Sequence, residues 1–250
     1  MTNESEEYTE AQQQIVDYSN LMLTDDLAKG TFGNISVRVA PDRIAVTPTG
    51  VDYPTMTADD VPIVDLEGKV ITGRLKPSSE APMHRAIYQQ RGDVKAIVHT
   101  HSPYATVYSI LGRPIPAVHY VVGRLGGASI PVTSRYELFG STALAERVVE
   151  ALGDIYTGAL LRNHGAVAVG TSLKKAYSGA LNIESMAQLA YLSQCLLGSP
   201  QLLSDDQMHE EIRQFEGYEQ KPEGSPQLLS DEQMREAIRQ FKGYGQKPEK

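Results

Sequence analysis

The chain has 250 residues, enough for one large core or two small ones, and its 41% hydrophobic and 22% charged content is that of a globular protein. Its net charge is −8 (23 basic against 31 acidic side chains) with no dense basic patch, which argues against a nucleic-acid partner. One cysteine, Cys195, permits no internal disulfide, and neither a signal peptide nor a run of about 18 apolar residues is visible, so a cytoplasmic protein with no membrane partner is expected.

Residues 8–28 carry Ile15, Tyr18, Leu21, Met22 and Leu27 at helical spacing, which predicts a helix ending near Lys29-Gly30. The turn Thr31-Phe32-Gly33-Asn34 leads into residues 35–39, whose alternation predicts a strand with one buried face. Pro41-Asp42 turns the chain into a second strand, 44–47, which Pro48-Thr49-Gly50 ends. Residues 63–66 and 69–72 read as another hairpin about Glu67-Gly68. A helix over 80–90 and a strand over 96–99 follow, and Ser102-Pro103 signals a helix over 104–111. Residues 115–122 and 130–133 read as strands on either side of a Gly126-Gly127 loop. Ser141 caps a helix over 142–152, strands at 159–163 and 166–169 flank His164, and Ser172 caps the longest helix, 173–197. Adjacent hairpins interleaved with helices predict a mostly antiparallel or mixed sheet covered by helices. A doubly wound nucleotide-binding sheet fits poorly, because no glycine-rich turn follows the first strand.

The C-terminus is a tandem duplication. Residues 198–223 align without a gap to 224–249 and differ only at Asp206/Glu232, His209/Arg235, Glu211/Ala237, Glu216/Lys242 and Glu219/Gly245. Two copies are too few for a self-supporting solenoid. The expected organisation is therefore a domain over 1–197 with a tail over 198–250. In the plainer reading one copy is a polar, mobile extension; in the sharper one a tail tyrosine, Tyr218 or Tyr244, closes over a site.

The chemistry-bearing residues gather in the stretch 76–101. His99 and His101 are two apart, so on a strand they share a face, and His164 ends another strand before a glycine. Three neutral imidazoles suit zinc or a similar divalent ion with a position left open for substrate. Glu80, after two serines, fits two readings on the residues alone: an acidic residue favoured by a helix N-terminus, or a carboxylate placed to move a proton beside a metal. Ser78, Ser79 and the first amides of the helix suit a phosphate, with Gly33-Asn34 and Thr49-Gly50 as neighbouring loops; each is also an ordinary turn or cap. His84 is expected on the helix surface, His209 in the tail, and His119 has no comparable arrangement.

Six pieces in order resemble the class II aldolase/adducin family: Gly33-Asn34-Ile35-Ser36-Val37-Arg38, Thr47-Pro48-Thr49-Gly50, Pro77-Ser78-Ser79-Glu80, His99-Thr100-His101, Ile115-Pro116-Ala117-Val118-His119-Tyr120 and Asn163-His164-Gly165. They span most of residues 8–218. The resemblance implies a three-layer α/β/α sandwich with a largely antiparallel sheet, and a homotetramer with active sites between subunits. It implies zinc on His99, His101 and His164, with Glu80 near or on the metal in the empty site and serving as acid/base. Gly33, Asn34, Thr49, Gly50, Ser78 and Ser79 would hold a substrate phosphate. Tyr120 would reach a neighbouring subunit's site, and a tail tyrosine would close over it: Tyr218 by its distance from His164, Tyr244 by the glycine that follows it. The implied reaction is retro-aldol cleavage of a ketose 1-phosphate, of the L-fuculose 1-phosphate kind, to dihydroxyacetone phosphate and an aldehyde. A 5-methylthioribulose 1-phosphate dehydratase and a pentulose 5-phosphate 4-epimerase are alternatives within the family, and a non-catalytic interaction protein is the alternative outside it. Arg124 departs from the small residues of the aldolase pattern, which puts the aldehyde pocket in question.

Overall fold

The computed structural model describes residues 4–197 and 200–219. Helix α1, Glu4–Thr24, stops earlier than the spacing predicts, because Asp26 takes a positive φ of 55° and turns the chain. Leu27 and Ala28 are still buried, but their amides reach back to the Met22 carbonyl from outside the helix. Strands β1 (Asn34–Ala40) and β2 (Arg43–Val46) form the first hairpin, and β3 (Ile63–Asp65) and β4 (Val70–Thr72) the second. Helix α2, Ala81–Gln90, leads to β5, Ala96–Thr100, which is buried along its whole length, and then to α3, Pro103–Leu111.

The strand expected over 115–122 is only β6, Ile115–Pro116, paired with β7, Ser129–Ile130. Pro116 has no N–H to extend the ladder, and His119 accepts a hydrogen bond from the Val121 amide, starting a 3-10 helix over Tyr120–Leu125. Helix α4 (Thr142–Leu152) is capped by Ser141, whose hydroxyl accepts from the Leu144 amide at 3.1 Å. Strands β8 (Gly158–Leu161) and β9 (Gly165–Gly170), helix α5 (Leu173–Leu197) and helix α6 (Asp205–Glu219) complete the described chain.

The main sheet has the order β4-β3-β2-β1-β5-β9-β8, antiparallel at every step. Its pleat sorts side chains onto two faces with a period of two. Ile35, Ala96, Val98 and Ala168 face one core with α1, α3 and α5, while Ile44, Ile97 and Val167 face another with α2 and α4. Each such aliphatic side chain contributes roughly 1.5–3 kcal/mol on burial. The result is the three-layer sandwich with a mostly antiparallel sheet.

One compact unit runs to Arg213, and the chain from Gln214 forms a second. Within the first unit, the start of the duplicated segment is anchored. The Leu203 amide donates to the Ala117 carbonyl at 3.0 Å, Met208 is fully buried, and Ser204 and Gln207 cap α6 reciprocally. Among the described residues no helix is long and apolar enough to cross a membrane.

Candidate active site and metal centre

Antiparallel register brings distant motifs to one end of the sheet. Asn34 opens β1 opposite His99 on β5, and Thr100 pairs with Ala166 on β9. Two glycines permit the close approach. A Cβ on Gly33 (φ +77°) would lie 2.7 Å from the His99 carbonyl oxygen, and one on Gly165 would lie 2.2 Å from that of Thr100. Asn163, at φ 56°, makes the turn that presents His164. The loop before α2 is tied alongside: the Ser78 amide donates to the Thr47 carbonyl at 2.9 Å, and the Thr49 amide to the Lys76 carbonyl at 3.1 Å. Glu80, the N-cap of α2, is thereby delivered to the histidines.

The ligand atoms of Glu80, His99, His101 and His164 all lie within 4.8 Å of one another. Glu80 Oε2 is 3.1 Å from His99 Nε2, Glu80 Oε1 is 3.3 Å from His164 Nε2, and His99 Nε2 is 3.0 Å from His101 Nε2. A tetrahedral site with Zn–N bonds near 2.0–2.1 Å spaces its ligand atoms by about 3.3 Å. His99 Nδ1 lies 2.8 Å from the Ala166 carbonyl oxygen, which can only accept. His99 therefore carries its proton on Nδ1 and turns a bare Nε2 to the cluster. Glu80 Oε1 is buried and accepts no hydrogen bond among the described residues. An orphaned carboxylate oxygen 3.3 Å from His164 Nε2, beside the bare Nε2 of His99, is a donor set a divalent cation satisfies. Phe32 stacks on His101 with ring centroids 5.5 Å apart and covers the group's edge.

The electrostatics agree. Burial opposes charge on Glu80, but the neighbouring His99 and His164 rings and the hydrogen bond from Asn34 outweigh it and hold the carboxyl well below the usual range. His101 is pushed down to about 3 by burial and then by its histidine neighbours, and His164 to about 4 by burial and then by His99. His99 moves the other way: burial would lower it, but the Glu80 carboxylate raises it further. Neutral His101 and His164 are the ligand-competent forms at neutral pH.

The six residues expected around a phosphate divide into two groups. Thr49, Gly50 and Ser79 are exposed, whereas Gly33, Asn34 and Ser78 are buried. Ser78 Oγ accepts from the Glu80 amide at 3.2 Å. The Asn34 side chain is committed to other partners: its Nδ2 donates to Glu80 Oε2 at 2.9 Å, and its Oδ1 faces His84 Nε2 at 2.5 Å. Tyr120 opens the 3-10 helix at 46% exposure, its ring 4.5 Å from that of His119. Tyr218 stands on α6, but its side chain, like all of Tyr244, lies outside the described residues.

His84 corrects a sequence expectation. It is fully buried, not a surface residue, because α2 turns its inner face onto β1, where Ser36 and Asn34 take both ring nitrogens. The spacing Glu80, His84, Tyr88 was the available signal, since residues four apart lie on one side of a helix.

The family model for the Class II Aldolase and Adducin N-terminal domain matches residues 13–191. A 5-deoxy-D-ribulose 1-phosphate aldolase of Bacillus thuringiensis serovar kurstaki is 40% identical over 210 residues, covering 84% of this chain and 97% of that protein. An L-fuculose phosphate aldolase of Escherichia coli is 40% identical over 206 residues, 82% of this chain and 94% of that protein. A solved L-fuculose 1-phosphate aldolase superposes with a TM-score of 0.78 at 33% identity, covering 83% of this chain and 96% of that one. The chain belongs to the class II aldolase and adducin family, and it is a lyase of the class II aldolase type.

Proposed function

We propose that the protein cleaves a ketose 1-phosphate of the L-fuculose 1-phosphate kind to dihydroxyacetone phosphate and an aldehyde, using one zinc ion per subunit. The observation that carries this reading is Glu80 Oε1, buried and, among the described residues, without a hydrogen bond, amid three converging imidazoles at the start of α2. The relatives support the substrate class, because the names of all three specify a phosphorylated ketose and an aldolase activity.

His99, His101, His164 and, before substrate arrives, Glu80 would hold the ion. When bound, it supplies Lewis-acid polarisation of the substrate carbonyl. Cleavage breaks the C3–C4 bond as the C4 hydroxyl gives up its proton, and the electron pair left on C3 must collect a proton. Glu80 moves that proton, since its carboxylate sits beside the histidines and not in bulk water. Thr49, Gly50 and Ser79, exposed on adjoining loops, offer hydroxyls and amides to the phosphate. Gly33, Asn34 and Ser78 complete the cradle, with Asn34 acting through its backbone because its side chain is engaged. The exposed Tyr120 stabilises the leaving aldehyde oxygen in the site of a neighbouring subunit of a cytoplasmic tetramer, and Tyr218 closes over it from the tail.

The test is a panel of ketose 1-phosphates and pentulose 5-phosphates with zinc-loaded protein. Dihydroxyacetone phosphate and an aldehyde are expected from a ketose 1-phosphate. A dehydrated product without dihydroxyacetone phosphate would reassign the chain to dehydration, and an epimer to epimerisation. No turnover at full zinc occupancy would leave an interaction protein.

A further inference from the structure

A second line of polar groups runs behind the metal cluster, and its direction is fixed by chemistry. The Glu80 carboxylate can only accept, so Asn34 turns its Nδ2 to Oε2 at 2.9 Å. That leaves Asn34 Oδ1, also acceptor-only, against His84 Nε2 at 2.5 Å, so His84 carries its proton on Nε2. Its bare Nδ1 then accepts a hydrogen bond from the Ser36 hydroxyl at 2.6 Å. The Tyr88 hydroxyl closes the line by donating to Ser36, lying 3.0 Å from its carbonyl oxygen and 2.9 Å from its Oγ. Ser36 and His84 are fully buried, and Asn34 and Tyr88 nearly so, so water cannot substitute for a lost member.

We propose that His84 is a positioning residue for Glu80. By donating to Asn34 it prevents the amide from flipping, and so dictates which carboxylate oxygen does the work. The two oxygens are unequal: Oε2 is held by Asn34, while Oε1 accepts no hydrogen bond among the described residues and faces His164 at 3.3 Å. Without the His84 N–H, the Asn34 amide can turn its own oxygen toward the carboxylate. Two acceptors then repel each other and Glu80 leaves its working position. The assignment of Glu80's chemistry rests on the proposed function; the amide lock and the His84 tautomer do not.

Nitrogen-15 NMR of histidine-labelled, metal-free protein reads the lock directly. His84 should appear as the single Nε2–H tautomer; an Nδ1–H or mixed tautomer would overturn the proposal, whatever the enzyme's substrate. In kinetics, H84F should lose about 10–100-fold in kcat at full zinc occupancy, as lost outer partners of a metal site do, with KM little changed. H84Q, whose amide nitrogen reaches the place of Nε2, should recover most of that loss. Unchanged kcat per folded, zinc-loaded subunit in H84F, or H84Q no better than H84F, would reduce His84 to a core residue. Should H84F not fold, H84Q and the tautomer still decide.

Discussion

The Glu80–histidine group and the loops proposed to hold a phosphate adjoin each other but are built in opposite ways. The first stands at the ends of β5 and β9, central strands buried along nearly their whole length, with glycines where backbones nearly touch. The second is made of loop ends tied by a few backbone hydrogen bonds, with Thr49, Gly50 and Ser79 open to solvent. A cation must be met by ligands fixed to within tenths of an ångström, whereas a phosphate accepts donors from many directions and must be able to enter. Packing secures one and accessibility serves the other.

Glu80→Gln carries the largest expected effect. It removes the proposed proton-transferring group without changing volume, so hydrogen exchange on dihydroxyacetone phosphate should fall by about 10²–10⁴-fold. Zinc content, measured on the same samples, should stay nearly intact because three histidines remain. Full exchange in the variant would remove Glu80 from the mechanism.

Alanine at two glycines separates the halves. In Gly165→Ala the new Cβ meets the Thr100 carbonyl at 2.2 Å and His101 Cδ2 at 3.1 Å, so β5 and β9 must move apart at the histidine group. A loss of about 1–3 kcal/mol, the usual range for overpacking, together with weaker zinc binding is expected from urea titration and metal competition. Gly50→Ala meets open space and has only the strain of φ +68° to bear, about 1–2 kcal/mol, with zinc binding unchanged. Equal zinc loss in both variants would mean the halves are one mechanical unit.

Ser79→Ala should raise KM for the phosphorylated substrate by roughly 10-fold, the scale of one hydrogen bond to a charged group, and leave kcat close to its original value. A kcat defect with unchanged KM would move Ser79 out of the cradle.

In the metal-free protein, acid should destabilise the buried half. His84 and His101 are held at about 3 and His164 at about 4, all chiefly by burial, against an ordinary value of 6.5. Between about pH 6.5 and 4 the unfolded chain binds protons that these folded imidazoles refuse, so stability falls as pH falls. His99, raised, works the other way: it contributes stability below pH 6.5 that is lost as pH rises through its folded value. The urea midpoint should therefore drop from pH 7 to pH 5. Zinc at about 100 times its dissociation constant should restore about 2.7 kcal/mol at pH 7. A flat midpoint would contradict the buried, neutral state of the three depressed histidines.

Truncation after Glu223 should have the smallest effect, retaining activity because Tyr218 remains. Its loss would shift the lid to Tyr244.

Much of this was legible in the chain. The hairpins about Pro41-Asp42 and Glu67-Gly68, the strand into His99 and the helix from Ser172 follow local rules, because alternation and caps act over a few residues. Residues 115–122 were misread because apolar character there serves burial against α5 and the core and not a ladder, and Pro116 and His119 end the strand at once. His84 escaped for a different reason. Its partners, Asn34 and Ser36, lie about fifty residues away, and only pairing of β1 with β5 beneath α2 brings them together.

By itself the sequence determined the candidate ligand types, their order and the turn glycines: His99-Thr100-His101, Asn163-His164-Gly165, and Glu80 after two serines. These are one-dimensional facts, because each motif's local geometry is set by its own neighbours. Only the tertiary structure decided that the four candidate ligand atoms share a space of 4.8 Å, that Oε1 of Glu80 is left without a hydrogen bond among the described residues, and that Asn34 serves Glu80 with its side chain. Those depend on the register of antiparallel strands and on where α2 lies across them. Such features arise from long-range packing, which no local pattern encodes.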